Sequence, residues 1–312
     1  MKRLDEREII RILTSTIGIQ DLDDVAAVDK NTVMKCDMLV ARTDVPEGMH
    51  PWQVARKSIV SCASDLAAKG AMPLAAMVSL GIPGNCTRPY VEGLAYGFAR
   101  ASKEFGVKIV GGDTNEATDL VIDCCMIGTL AGRKMPTRKG ARPGDVVVLS
   151  GLFGLAPVGL AIMTQNAKSL GGFRIRAIDS VLEPVPRQRF GEALAKFFSS
   201  SIDSSDGLAT SLYELAANGK VDLLIEPLPA VPGVEIFARQ NNLDAEELVF
   251  HGGEEYEIVA TIPRSKLTQA RTAARKAGVE IHTIGVVRKG KGRVFTGKKL
   301  LQNRGYLHFI RR

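Results

Sequence analysis

Seven acidic residues stand among small or apolar neighbours: Asp24, Asp37, Asp65, Asp113, Asp203, Asp206 and Glu254. They fall on separate segments, usually beside glycine or serine. Hard carboxylate oxygens of this kind suit Mg²⁺, which keeps some of its waters and is shared with substrate phosphates. Each acid taken alone has a plainer explanation. Asp65 could pair with Lys57 or Lys69, or act in capping. Asp206 or Ser205 could cap the helix that follows. Asp23-Asp24 could be a polar turn before a strand. Asp37 could lie on an exposed edge, and Gly111-Gly112-Asp113 could be an ordinary turn.

Other chemistries fit less well. Histidine is scarce (four residues) and no two cysteines form a CxxC pair, which disfavours zinc. No GxSxG elbow is present for a serine nucleophile. The best phosphate-loop match, Gly292 to Lys299, ends in lysine where Ser or Thr should reach Mg²⁺. It also reads as a hairpin with no helix after it. No protein-kinase signature occurs. What survives is nucleotide chemistry through acids and Mg²⁺ without a conventional loop.

The acids need elements to position them. Pro51 and Gly70 bracket a helix at the positions favoured for a first residue and an αL stop. Its last turns, Ser58 to Ala68, are almost all apolar or small, which predicts burial on most sides. Ser58, Ser61 and Asp65 share one stripe of it. Residues 4–16 read as a short amphipathic helix, and Val25–Val28, Val33–Val40, Leu74–Leu80 and Leu120–Leu130 as strands. A second helix runs from about Thr87 to Gly106. Val107–Val110 reads as a strand entering a glycine turn at Gly111-Gly112, where a phosphate could approach the backbone.

The stretch Met135 to Gly144 is rich in Pro, Gly and basic residues and predicts a domain boundary, giving 1–140 and 141–312. Beyond it, strands are expected at 145–149, 221–225, 258–262 and 280–287. Helices are expected at about 155–165, 190–198, 207–217 and 264–277, with a mobile loop at 165–174 and a short strand at 305–309.

Composition sets outer limits. A chain of 312 residues, 45% hydrophobic and 24% charged, is ordinary for two globular domains. No apolar run approaches the length needed to cross a bilayer, and the N-terminus is charged, so neither signal peptide nor membrane anchor is expected. Five cysteines without a framework predict reduced thiols and a cytoplasmic location. Cys124 and Cys125, adjacent on a strand, should face opposite ways. The net charge of +7 is scattered, and 5% aromatic content gives no stacking platform, so nucleic acid is not an expected partner.

Six motifs in order carry a resemblance: Asp23-Asp24-Val25-Ala26-Ala27, Cys36-Asp37-Met38-Leu39-Val40, Ser64 to Gly70, Gly111-Gly112-Asp113-Thr114, Ser205-Asp206-Gly207-Leu208, and Gly252-Gly253-Glu254-Glu255-Tyr256-Glu257. Together with Gly305-Tyr306-x-His308-Phe309 they resemble the thiamine-monophosphate kinase family, in the superfamily of aminoimidazole ribonucleotide synthetase and selenophosphate synthetase. The resemblance implies an α/β (α+β) chain with the two-domain PurM-like ATP-binding fold. Its N-terminal domain would pack a four-stranded sheet on helices and form a homodimer through its strands; the C-terminal domain would be an α/β layer. It also implies transfer of the γ-phosphate of ATP to thiamine monophosphate. By position, Asp24, Asp37, Asp65, Asp113, Asp203 and Asp206 would hold Mg²⁺. Gly112, Asp113, Arg138 and Ser205 would meet ATP, with Phe105 near the adenine where the family often has Tyr. Glu254 and Tyr306 would lie by the thiamine moiety.

Three departures stand out. Lys35-Cys36 replaces a Ser-Thr pair and removes a hydroxyl metal ligand. Asp21-Leu22-Asp23-Asp24 replaces Gly-Ile-Gly-Asp-Asp. Asp44 falls where many members place a substrate-contacting His. A different synthetase of the superfamily, or a non-catalytic nucleotide-binding protein, is the alternative. That synthetase would act on a ribonucleotide or on selenide, and the lack of a reactive Cys or selenocysteine in a glycine-rich N-terminal segment disfavours selenophosphate synthesis.

Overall fold

The computed structural model describes residues 4–19 and 22–306. The expected strand over 305–309 therefore lies largely outside the described residues, and Gly305 and Tyr306 themselves are irregular.

Two sheets carry the chain. The first is built from β1 (Ala26–Ala27), β2 (Thr32–Val40), β3 (Met72–Ile82), β4 (Lys108–Glu116) and β5 (Val121–Thr129), in the order β1-β2-β5-β3-β4. It has five strands rather than four, because the short β1 pairs with β2 through Ala26–Met34 and Ala27–Val33. The helices of this half are α1 (Glu6–Ile17), α2 (Ala41–Asp44), α3 (Pro51–Ala68) and α4 (Arg88–Phe105). The second sheet contains β6 (Asp145–Leu149), β7 (Ser200–Ser204), β8 (Val221–Ile225), β9 (Glu257–Pro263), β10 (His282–Lys289), β11 (Val294–Thr296) and β12 (Lys299–Leu300), ordered β12-β11-β8-β10-β6-β9-β7. Its helices are α5 (Leu155–Gln165), α6 (Gly171–Leu182), α7 (Gln188–Leu194), α8 (Leu208–Gly219), α9 (Val234–Gln240) and α10 (Leu267–Ala277).

Strand periodicity explains the layering. On β2, Val33 and Leu39 are buried while Met34, Cys36 and Met38 are exposed, so one face meets helices and the other is open. On β5, Ile122, Cys124, Met126 and Gly128 alternate with half-buried neighbours, and Cys124 and Cys125 do face opposite ways. Every residue of β6 is buried, because this strand is covered on both faces. Val147 and Leu149 join the core under α5, α8 and α9; Val146 and Val148 join a second core with Phe190, Leu194, Ala270 and Ala274.

Helix α3 serves both sheets. Fifteen of its eighteen residues are buried. Ile59, Cys62 and Leu66 enter the core of the first sheet, and Ala67 and Ala68 enter the core beside α7. Gly191 on α7 is required there: a Cβ would lie 1.9 Å from the Ala67 carbonyl oxygen. Gly70 takes the αL stop at φ +66°.

Several expectations change. Gly111 and Gly112 lie inside β4, not in a turn, and pair with Met77 and Val78. A Cβ on Gly112 would meet the Val78 carbonyl oxygen at 1.7 Å, so glycine here permits close strand approach. The expected loop at 165–174 becomes helix from Gly171. Helix α9 was not anticipated, and the hairpin reading of 292–299 is met by the β11–β12 pair. Among the described residues, no helix is long and apolar enough to cross a membrane.

Candidate functional site

A cavity of about 800 Å³ opens between the α3 side of the first sheet and the β7–α8 end of the second. Three turns shape its rim. Strand β7 ends at Ser204, and Ser205 and Asp206 lead through Gly207 into α8. The chain around Gly252–Tyr256 folds against this end: Glu254 N donates to Ser205 O at 2.7 Å and Tyr256 N to Ser204 O at 3.1 Å. A Cβ on Gly253 would stand 2.6 Å from Ser205 O, so only glycine lets the two segments touch. Glu254 and Tyr256 adopt left-handed φ of 70° and 51°. Such backbone costs roughly 1 kcal/mol or more for a side-chain-bearing residue, and this docking holds it. A wide π-type turn, Glu247–His251, precedes it. Tyr306 N donates to Asp206 O at 3.0 Å and brings the C-terminal segment to the same rim.

Seven of the sequence-designated residues line this one cavity: Asp37, Asp44, Asp203, Ser205, Asp206, Glu254 and Tyr306. Asp24 and Asp65 lie behind its wall. Asp24 Oδ2 accepts the backbone N–H of Asp203 at 3.2 Å, and Ser64, next to Asp65, donates its hydroxyl to Asp203. Arg138 joins them through Asp24. Phe105, Gly112 and Asp113 are elsewhere in the chain. Phe105 ends α4 beneath the Arg56 guanidinium, 5.0 Å from its ring centre. Gly112 and Asp113 are exposed on edge strand β4, where Asp113 accepts from the Thr114 N–H.

The site also contains residues that motif reading passed over. Lys57, 2% exposed, projects from α3 to Glu254 Oε2 at 2.5 Å and donates to Asp44 O at 2.8 Å. Ser61, one turn further, approaches the Tyr256 hydroxyl at 3.5 Å. Lys57, Ser61 and Asp65 follow one another at four-residue spacing, a stripe that would have exposed the lysine's direction. His251 Nδ1 lies 2.8 Å from Arg304 O.

Asp65 pairs with neither Lys57 nor Lys69. Its Oδ2 is 2.8 Å from the Nζ of Lys35, which arrives from β2. Lys69 instead contacts Asp23 Oδ1 at 2.6 Å and Asp24 Oδ2 at 2.9 Å, and donates to Ser201 O at 2.7 Å. Cys36 points to the other side of β2 and donates to Asp123 at 3.2 Å. Although the residue is exposed, its thiol is pushed up to about 12 by partial desolvation against the strand and by Asp123, which makes it a poor nucleophile at neutral pH.

The acids divide by charge environment. Burial alone would raise the Asp24 carboxyl, but Lys69 and Arg138 overcome it and hold the group below its ordinary range. Burial pushes Asp65 up to about 7; Lys35 opposes this, and Asp24 and Asp37 add to it. Asp203 rises well above the carboxylate range through burial and through Asp65, and Asp37 rises through burial. These three are like charges gathered in a poorly solvated space without enough counter-charge.

That contrast tests whether Mg²⁺ suits the site. Both Asp24 oxygens are engaged by cations, so Asp24 as it stands does not fit a metal-ligand role. Asp37, Asp65 and Asp203 fit: they are hard oxygen donors whose raised carboxyls a divalent cation would bring down. Among the described residues, no three His, Cys, Asp or Glu side chains already converge closely enough to hold an ion.

Comparisons with known proteins agree on a family. Residues 22–130 match the family described as AIR synthase related protein, N-terminal domain. Over 315 aligned residues the chain is 39% identical to the thiamine-monophosphate kinase of Nitrosopumilus maritimus strain SCM1, covering 99% of this chain and 100% of that protein. It is 33% identical to the thiamine-monophosphate kinase of Pyrococcus horikoshii, covering 94% and 91%. A solved structure of AaThiL complexed with AMPPCP and TMP superposes with a TM-score of 0.89 at 27% identity, covering 99% of each chain. The hydrogenase maturation protein HypE shares the fold at a TM-score of 0.71 and 19% identity. With end-to-end identity of this extent and a matching fold, the chain belongs to the thiamine-monophosphate kinase family.

Proposed function

We propose that this protein transfers the γ-phosphate of ATP to thiamine monophosphate, giving thiamine diphosphate and ADP. One observation carries this reading: the relationship to named thiamine-monophosphate kinases runs the full length of both chains. The structurally similar AaThiL was solved with an ATP analogue and TMP together.

The acceptor is already a phosphate anion, so its oxygen can attack the γ-phosphorus in line without a general base. The oxygen–phosphorus bond to the γ-phosphate forms as the bond to the ADP oxygen breaks. The difficulty is bringing anions together. Mg²⁺, when bound, supplies charge neutralisation and alignment. Asp37, Asp65 and Asp203 would hold it, with Asp206 and Asp113 as further candidates. Arg138 and Ser205 are assigned to ATP, together with Gly112 and Phe105. Lys57 fixes Glu254 at the cavity wall, where Glu254, Asp44 and Tyr306 are assigned to the thiamine moiety. A cationic thiazolium suits carboxylates there.

We also assign nucleotide binding and self-association to residues 1–140, with residues 141–312 as the second domain. A second copy of this chain is the proposed cover for the open face of the first sheet, where Met34, Met38, Leu74 and Met77 are exposed.

The test is incubation of purified protein with ATP, Mg²⁺ and thiamine monophosphate. The expected result is thiamine diphosphate and ADP in equal amounts, with no ADP when thiamine monophosphate is omitted. ADP formed equally without the acceptor, or nucleotide binding without turnover, would overturn the assignment.

A further inference from the structure

Lys35 is a charged residue in mid-strand, on the helix-facing side of β2 with Val33, Asp37 and Leu39. Its side chain is 24% exposed and that of its partner Asp65 is 10% exposed. Asp37 and Asp24 also act on its charge. The two lysines on or next to α3 are both committed elsewhere: Lys57 to Glu254, Lys69 to Asp23 and Asp24. Asp65 therefore takes its counter-charge from another element, across the gap between sheet and helix.

We propose that Lys35 is a tethered cation occupying the place on Asp65 that a divalent ion would otherwise take, so that this protein binds one divalent ion fewer than the same cluster with a neutral residue there. The identity of the ion rests on the phosphoryl-transfer reading above; the exchange of ammonium for metal does not. An ammonium is a compact point charge on a flexible stem, able to pair with a carboxylate without demanding fixed coordination geometry. Buried carboxylates that repel one another require a cation, and a covalently attached one needs no binding equilibrium. The cluster is thus partly neutralised before any nucleotide arrives, leaving Asp203, Asp37 and the second oxygen of Asp65 for exchangeable metal.

The experiment counts ions. Mn²⁺ is titrated into the full-length protein without nucleotide or thiamine monophosphate, with free Mn²⁺ read by electron paramagnetic resonance. Wild type, Lys35→Met and Lys35→Arg are compared, and melting temperatures are followed with and without Mn²⁺. Lys35→Met is expected to bind one more Mn²⁺ per chain than wild type, and Lys35→Arg the wild-type number. If Lys35→Met is less stable without metal, saturating Mn²⁺ should restore its melting temperature. Equal stoichiometry in wild type and Lys35→Met overturns the proposal. So does a Lys35→Met chain that stays unfolded at saturating Mn²⁺, since the ion then cannot replace the ammonium. No phosphoryl transfer is measured, so a failed kinase assay and a failed ion count remain separate results.

Discussion

The two sheets bury their residues differently. In the seven-stranded sheet, β6 and β9 are covered on both faces, and their side chains divide between two separate cores. In the five-stranded sheet, α3 and α4 cover one face and leave Met34, Met38, Leu74 and Met77 facing outward. The first kind of sheet is complete by itself. The second exposes apolar surface that a soluble chain ordinarily covers. The chemistry sits between them: β2 contributes Asp37, α3 contributes Asp65 and β7 contributes Asp203 to one cluster.

Variants can break this contrast. The largest effect is expected from Asp65→Asn and Asp203→Asn, which should lower turnover by about 1,000-fold or more with the fold intact by circular dichroism. Near wild-type turnover in either would remove the metal assignment, and Asp113→Asn is held to the same standard although its position on β4 is outside the cavity. Next comes Lys57→Met, which leaves Glu254 without its cation. It should destabilise the chain by about 3 kcal/mol and raise KM for thiamine monophosphate more than it lowers kcat. An unchanged KM would detach the pair from substrate binding.

A matched pair of substitutions compares the sheets directly. Leu149→Ala, in the doubly covered sheet, should cost about 3 kcal/mol in denaturant unfolding without altering the oligomeric state. Met77→Lys, on the open face, should shift sedimentation toward monomer, and an unchanged sedimentation profile would argue against a second copy there.

The smallest effect concerns pH. Burial, with Glu257 nearby, raises Glu255 to about 8 from an unfolded value near 4.5. The folded protein therefore holds a proton that the unfolded chain has released. The stabilisation is full below about pH 4.5 and is lost as pH rises toward 8. Glu255→Gln, which can still accept from Gly154 N, should flatten this slope and raise the melting temperature at pH 8 by several degrees, the scale of about 1–2 kcal/mol. An unaltered slope would reassign the titration to another group.

Much of this architecture can be read from local chemistry. Pro51 and Gly70 bracket α3 because a fixed φ suits a helix start and a positive φ suits its end. Val146 to Leu149 reads as a strand because an unbroken apolar run is what double coverage demands. Helix α9 escaped notice because its seven residues lie close after Pro229 and Pro232, too short for a periodic signal. Gly111-Gly112 read as a turn because glycine's freedom is usually spent on turns, whereas here it admits Val78. Seven designated site residues do share the cavity. The partner of Asp65 was not legible, since both adjacent lysines were plausible by spacing and neither was used. Only the pairing of β2 against α3 selects Lys35, and that pairing is a property of the whole fold.

Helix α3 has one further consequence. Its end at Ala67 is clasped by Gly191 with no room for a methyl group, while Lys57 and Ser61 border the cavity from earlier turns. The helix therefore acts as a rigid spoke pinned at its far end. A parting of the two sheets would have to break this contact, whereas the segments Asp44–Pro46 and Gly252–Glu254 already border the cavity that two anionic reactants would enter.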